Sequence, residues 1–129
     1  MTAVDTNVLV RFLVGDNARQ AARAAELIRS NEIWISKTVL LETEWVLRSL
    51  YDFPTQRLAG ALRALAGLGA VFLEDEHAVA NALEWYEHGL DFAEALHLAC
   101  AGNAKQFATF DRKLARQARH ATQVDAVSL

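Results

Sequence analysis

Short apolar runs that suit β-strands alternate along this chain with longer stretches whose apolar residues recur at helical spacing. The strand-like runs are residues 2–4, 32–35, 70–73 and 107–110, with a weaker fifth at 123–127. The helical stretches are residues 6–14, a segment capped by Asp16, and residues 39–51, 54–67, 75–88, 91–104 and 112–119. This alternation predicts an α/β fold, a three-layer αβα sandwich around a parallel sheet of four to five strands.

Composition fits a globular protein. The chain has 129 residues, of which 53% are hydrophobic and 22% charged, and we expect one domain over residues 1–129. A net charge of −3 argues against a generally basic protein that coats nucleic acid. No apolar run approaches the roughly 18 residues of a membrane span, and no signal peptide is visible, so we expect a cytoplasmic protein. The single cysteine, Cys100, excludes an internal disulfide and a thiolate metal cage.

Three acids stand where ligand sites form in parallel α/β sheets, beyond the carboxyl ends of strands. Asp5 ends the first strand, Asp111 ends the fourth, and Asp91 opens a helix after a sharp turn at Gly89. Each also has a purely structural interpretation, because aspartate is a good N-cap and benefits from the helix dipole. Asp91 with Glu94 even fits the pattern of a capping box.

Two glutamates of the third helix are predicted to play opposite roles. The helical neighbours of Glu42 are mostly apolar and include Trp45, so Glu42 should face inward. Glu44 has Arg48 four residues on and should be a solvated surface acid. An inward carboxylate is costly unless it is paired or binds a metal. A buried ion pair between Glu42 and Arg11 is the structural alternative to a metal site.

The acids together predict a cation site. The candidate ligands are all carboxylates: Asp5, Glu42, Asp111 and one or both of Asp91 and Glu94. Carboxylates that converge repel one another unless a cation compensates them. Ligation by oxygen alone favours Mg²⁺, with Mn²⁺ as a substitute, and such an ion supports hydrolysis of a phosphodiester. His97 shares a helical face with Glu94, although a lone histidine is more often structural.

Basic and aromatic residues add candidate contacts. A basic helix follows Asp111, and its candidates for holding an RNA backbone are Arg112, Lys113, Arg116 and Arg119. A solvated helix face is the alternative for this charge run. The three tryptophans could serve partner interfaces, but their apolar surroundings favour core packing: Trp34, Trp45 and Trp85.

The residues assembled so far resemble the PIN-domain ribonucleases, and more closely the VapC-type toxins of bacterial toxin–antitoxin pairs. The matching segments are Val4-Asp5-Thr6-Asn7-Val8-Leu9, Leu41-Glu42, Gly89-Leu90-Asp91-Phe92-Ala93-Glu94-Ala95-Leu96-His97 and Thr109-Phe110-Asp111. Their order and spacing cover essentially the whole chain. The resemblance implies the same parallel αβα sandwich, with acids at the strand ends.

The resemblance also implies which acids act. Asp5, Glu42 and Asp111 fall on acids of the family. Asp91 keeps the first position of the family's D-x-x-D-A-L pattern, and Glu94 replaces the commoner second aspartate. The extra methylene of glutamate leaves open whether Asp91 or Glu94 reaches the metal directly.

Activity and partners follow from the same resemblance. It implies a Mg²⁺-dependent endoribonuclease, a homodimer, and a cognate VapB-type antitoxin that blocks the site. Asn7 and Thr109 would orient the carboxylates or a water molecule, with local capping as the alternative for both. Which RNA is cut stays open.

Two other classes of protein compete with this interpretation. A phosphatase with Asp5 as nucleophile would need a second aspartate two residues on, and Asn7 stands there instead. A non-catalytic PIN-like binding module would use its acids only to cap helices. The predicted inward position of Glu42 argues against that module, and titration with Mn²⁺ separates the two, since a capped scaffold binds no ion.

Overall fold

Strands and helices alternate through all of residues 1–129, which a computed structural model describes in full. Five strands and seven helices form, and every pair of neighbouring strands is parallel. The contacts of the chain divide it into two units, Met1–Glu76 and His77–Leu129. The α/β class with parallel strands, predicted from the sequence, is confirmed.

The first unit is built around a three-stranded parallel sheet in the order β1-β2-β3. Thr2 pairs with Ile33, and Ile33 pairs in turn with Val71. Its elements are β1 (Thr2–Ala3), α1 (Thr6–Val14), α2 (Ala18–Ser30), β2 (Ile33–Ile35), α3 (Lys37–Ser49), α4 (Thr55–Ala66) and β3 (Val71–Leu73).

The second unit contains a two-stranded parallel sheet in which Phe107 pairs with Ala126. Its elements are α5 (Glu76–Glu87), which starts at the last residue of the first unit, α6 (Phe92–Ala99), β4 (Phe107–Thr109), α7 (Arg112–Ala121) and β5 (Ala126–Ser128). The five predicted strands all form. Their hydrogen bonds divide them into a sheet of three and a sheet of two, instead of the one sheet that we expected.

Local signals place most helix ends. Gly15 ends α1 with φ of 73°, a left-handed conformation that glycine adopts without strain. The Ser36 hydroxyl accepts the Val39 N–H at the start of α3. The predicted cap of α2 is wrong by one residue: Asn17, not Asp16, accepts the Gln20 N–H, because the Asp16 carboxylate is bound by Arg11 and Tyr51 instead.

The helix predicted over residues 91–104 is too long. It ends at Ala99, with Cys100 as its C-cap, and a turn follows in which Gly102 has φ of 62°. The alanine-rich sequence of this turn continues the helical pattern, but the chain must reverse before β4 begins.

Burial corrects the prediction for two of the tryptophans. Trp34 is 37% exposed and Trp45 is 52% exposed, so neither packs fully in the core. Trp85 is half-buried.

None of the helices combines the length and apolar character needed to cross a bilayer.

Candidate active site

Asp5 stands at the start of α1, just beyond the short strand β1. Its Oδ1 accepts the Val8 N–H at 3.1 Å, so it is the N-cap of the helix. Its Oδ2 has no hydrogen-bond partner, and the side chain is exposed. The capping interpretation is therefore correct for Asp5. Because capping uses only one oxygen, the other remains available to a ligand.

Glu42 is held by Thr6, which was not among the predicted site residues. The hydroxyl of Thr6, the first residue of α1, donates a short hydrogen bond to Glu42 Oε1 on α3. Thr6 directly follows Asp5, so the same stretch of chain supplies one acid and orients another. The threonine between Asp5 and Asn7 in the resembling segment was the available signal.

The predicted roles of Glu42 and Glu44 are reversed. Glu42 is exposed, whereas Glu44 is only 2% exposed. The buried face of α3 is formed by Leu40, Thr43, Glu44 and Leu47. The prediction placed Glu42 inward because its helical neighbours are mostly apolar. One of those neighbours, Trp45, is exposed, and the core covers the adjacent face of α3, which includes Glu44.

Glu44 satisfies its buried charge with Arg48. Arg48 Nε donates to Glu44 Oε2 at 2.8 Å, which confirms the predicted pair but not its exposure. The alternative pair between Glu42 and Arg11 is wrong, because Arg11 binds elsewhere: its Nη1 donates to Asp16 Oδ1 at 3.0 Å and its Nε to Gln20 Oε1 at 2.8 Å.

A cavity of about 880 Å³ lies beside Asp5 in the first unit. Residues of α1 and α2 line it, among them Asp5, Asn7, Arg11 and Arg23. Asn7 is exposed, and its side chain makes no hydrogen bond to the rest of the chain. Its side-chain amide is therefore free to meet a ligand in this cavity.

Asp91 and Asp111 are N-caps in the second unit, as the alternative interpretation held. Asp91 Oδ2 accepts the Glu94 N–H at 3.1 Å at the start of α6. Asp111 Oδ1 accepts the Leu114 N–H at 3.0 Å at the start of α7. In each carboxylate the second oxygen has no hydrogen-bond partner, as in Asp5.

Thr109 positions Asp111. Its hydroxyl accepts the Asp111 N–H at 3.0 Å, so Thr109 has the local capping role that was the alternative for it. This hydrogen bond fixes the backbone between β4 and α7 and, with it, the side chain of Asp111.

The charges of two candidate ligands, Asp91 and Asp111, act on a third, Glu94. The pKa of Glu94 is raised because partial burial removes water from its carboxylate and because the charges of Asp91 and Asp111 repel its ionised form. Lys113 and His97 oppose this shift. The exposed His97 therefore influences Glu94 electrostatically. Such repulsion favours a cation at these carboxylates.

Four basic residues lie along α7. Leu114, Ala115 and Ala118 form its buried face, and the predicted RNA contacts are all exposed: Arg112, Lys113, Arg116 and Arg119. None of these four side chains forms a salt bridge. Their charges are available to a negatively charged ligand.

The donors are of one chemical type. All five candidate ligands offer carboxylate oxygens, the ligands that Mg²⁺ and Mn²⁺ prefer. The structure contains no group of three or more His, Cys, Asp or Glu side chains arranged to hold one metal ion. The chemistry of the donors fits such an ion, and metal binding by these residues stays a prediction.

Comparison with known proteins assigns a family. The model of the PIN domain matches residues 2–120. No curated protein and no solved structure matches the chain. The match extends from β1 into α7 and covers every predicted site residue.

Proposed function

Since the chain belongs to the PIN-domain family, whose members are in general nucleases, we propose that it is a metal-dependent endoribonuclease that hydrolyses phosphodiester bonds in RNA. The family match over residues 2–120 is the observation that carries this proposal. It also confirms the predicted PIN-like fold class. Mg²⁺ is the proposed ion, with Mn²⁺ as a substitute.

The predicted carboxylates are the proposed metal ligands: Asp5, Glu42, Asp91, Glu94 and Asp111. Capping does not exclude ligation, because each capping aspartate keeps one oxygen without a hydrogen-bond partner. Capping also fixes the rotamer of each aspartate, so that its free oxygen is held in place. A bound divalent ion would lower the pKa of a water molecule and stabilise charge on the phosphoryl oxygens.

Other residues prepare the acids and the substrate. Thr6 orients Glu42, and Thr109 fixes the backbone at Asp111. Asn7 is proposed to orient a ligand or water from its place in the cavity beside Asp5. Lys113 reduces the repulsion at Glu94, and the basic face of α7 is proposed to bind the RNA backbone.

The toxin role is a further part of the proposal. We propose that the chain is the toxin of a type II toxin–antitoxin pair, acts in the cytoplasm as a homodimer, and is blocked by a VapB-type antitoxin. The resemblance of its four motif segments to VapC-type toxins supports this. The partly exposed rings of Trp34 and Trp45 support partner binding, because aromatic side chains are enriched at protein interfaces.

Replacement of Asp5 tests the nuclease. Asp5→Asn should abolish Mg²⁺-dependent RNA cleavage and leave the fold intact, because asparagine caps helices as well as aspartate but is a poorer metal ligand. Asp52→Asn is the matched control. It removes an exposed acid with φ of 55°, a conformation that asparagine tolerates. Cleavage by Asp5→Asn at the rate of the parent would contradict the assignment.

The second candidate function is a non-catalytic binding module. The hydrogen bonds of Asp5, Asp91 and Asp111 to helix N-termini favour it, since capping alone accounts for their positions. Isothermal titration with Mn²⁺ distinguishes the two functions. A nuclease should bind the ion and lose binding in Asp5→Asn, whereas a scaffold whose acids only cap helices should give no binding heat.

A further inference from the structure

Phe110 is the most exposed large hydrophobic side chain of the protein. Its side chain is 82% exposed, although it lies between two fixed residues, Thr109 and Asp111. The Thr109 hydroxyl accepts the Asp111 N–H at 3.0 Å, and the Thr109 carbonyl accepts the Leu129 N–H at 2.9 Å. The backbone is therefore anchored on both sides of an aromatic ring that faces water.

Positively charged residues lie close to Phe110 in the sequence. Arg112, Lys113 and Arg116 follow within six residues, all exposed and none in a salt bridge. Proteins that bind single-stranded nucleic acid combine these two features, cations for the phosphates and an aromatic face on which a base stacks. An apolar protein surface placed over the ring would instead desolvate these cations without pairing them.

We propose that Phe110 is a stacking platform for an unpaired base of single-stranded RNA, and that it places the adjoining phosphate next to Asp111. The inference rests on the proposed function for the identity of the ligand. Because Phe110 directly precedes Asp111, a base stacked on the ring is held beside a proposed ligand of the metal. Arg112, Lys113 and Arg116 bind the neighbouring phosphates. The enzyme therefore cuts RNA where a base is free to stack.

Stacking is measured with a short unstructured RNA that carries one 2-aminopurine, whose emission falls when the base stacks. The full chain is titrated against this RNA in EDTA, so that no metal-dependent cleavage occurs. The parent should bind and quench the emission. Phe110→Ala should weaken the affinity by roughly tenfold or more and lose the quenching. The ring is exposed, so this variant should keep the melting temperature of the parent.

Three further variants separate stacking from other roles of the ring. Phe110→Tyr keeps an aromatic face and should restore both affinity and quenching. Phe110→Leu keeps an apolar side chain without a π face and should behave like Phe110→Ala. Phe72→Ala is the matched control, since it removes another exposed phenylalanine ring, 40% exposed, and should bind RNA like the parent.

The outcomes that overturn the inference are distinct from those that overturn the proposed function. A parent that binds no RNA, or a Phe110→Leu variant as tight as the parent, overturns the stacking role. So does loss of self-association in Phe110→Ala with RNA affinity unchanged, which would make the ring a protein contact. A parent that stacks the RNA but does not cut it when Mg²⁺ is supplied overturns the nuclease and leaves the stacking role intact.

Discussion

The hydroxyl of Thr6 donates a hydrogen bond to the carboxylate of Glu42, which joins the first residue of α1 to the middle of α3. Glu42 is exposed, so burial does not restrict its side chain. The hydrogen bond does, because it selects one orientation of the carboxylate. Thr6 follows Asp5 directly, so a change at Thr6 tests the positioning of Glu42 without the removal of any acid.

Thr6→Val should lower the rate of RNA cleavage by about tenfold and leave the stability within about 1 kcal/mol of the parent. Valine has nearly the shape of threonine but cannot donate, and a solvent-exposed hydrogen bond contributes only about 1 kcal/mol net to stability. Cleavage of a labelled RNA and urea denaturation measure the two effects.

Two control variants test whether the loss of the Thr6 hydroxyl causes the lower rate. Thr6→Ser restores a donor and should restore most of the rate. Thr55→Val changes the corresponding first residue of α4, which makes no side-chain hydrogen bond, and should cut RNA like the parent. Equal loss in Thr6→Ser and Thr6→Val would mean that Thr6 has no positioning role.

Glu42 and Glu44 should respond in opposite ways to replacement by glutamine. Glu44→Gln should lose about 1–3 kcal/mol of stability, because Arg48 loses a charged partner that is only 2% exposed. Glu42→Gln removes an exposed charge and should stay within about 0.5 kcal/mol of the parent, but lose cleavage. Chemical denaturation and a cleavage assay of both variants measure this contrast. A more stable Glu44→Gln than Glu42→Gln would contradict the assignment of the two faces.

The reversal of these two glutamates shows which information the sequence lacks. Helical periodicity groups residues that share a face, and it places Glu42 with Trp45 and Glu44 with Arg48 correctly. It does not say which face the protein covers. Thr43 and Glu44 are polar, yet tertiary packing buries them on the same face as Leu47. The apolar Trp45, in contrast, is 52% exposed.

Features that depend on neighbouring residues were predictable. Gly15 and Ser36 mark helix ends through local geometry, and the structure has Gly15 at the end of α1 and Ser36 as the N-cap of α3. Acids of the candidate site were predicted directly after strands, and Asp5 and Asp111 do cap the helices that follow β1 and β4. Pairing between distant strands was not predictable, because periodicity contains no information on register. The division into a three-stranded and a two-stranded sheet is a property of the tertiary structure.

Arg116→Ala should weaken RNA binding and make it less sensitive to salt. If the exposed guanidinium of Arg116 binds one phosphate, the slope of log affinity against log salt should fall by about 0.7, the value for one phosphate of a single strand. Fluorescence anisotropy at several salt concentrations measures the slope. Arg19→Ala is the control, since Arg19 is exposed on α2 without a salt bridge. Identical slopes in both variants would remove Arg116 from the interface.

Glu94→Gln should be more stable than the parent near neutral pH in the absence of metal. Folding raises the pKa of Glu94 through partial burial and the charges of Asp91 and Asp111, so ionisation of this side chain destabilises the folded state. Protonated Glu94 therefore contributes to the free energy of unfolding below the ordinary pKa of glutamate. This contribution is lost as the pH rises through the raised pKa of the folded state. The advantage of glutamine should therefore shrink toward acid pH. Urea denaturation at a series of pH values in EDTA measures it, and an advantage independent of pH would contradict the electrostatic cause.

Mn²⁺ should distinguish Glu94 from Asp91 as the direct ligand. An ion that binds only the folded state raises its melting temperature, and we expect the parent and Glu94→Asp, which has the commoner family residue, to show this rise and to cut RNA. Glu94→Gln should lose both. Asp91→Ala removes the acceptor for the Glu94 N–H and should lose about 0.5–2 kcal/mol of stability even without metal. Asp91→Asn keeps a cap and is the fair comparison for ligation. If Glu94→Gln keeps the Mn²⁺ response and the activity while Asp91→Asn loses them, Asp91 is the ligand.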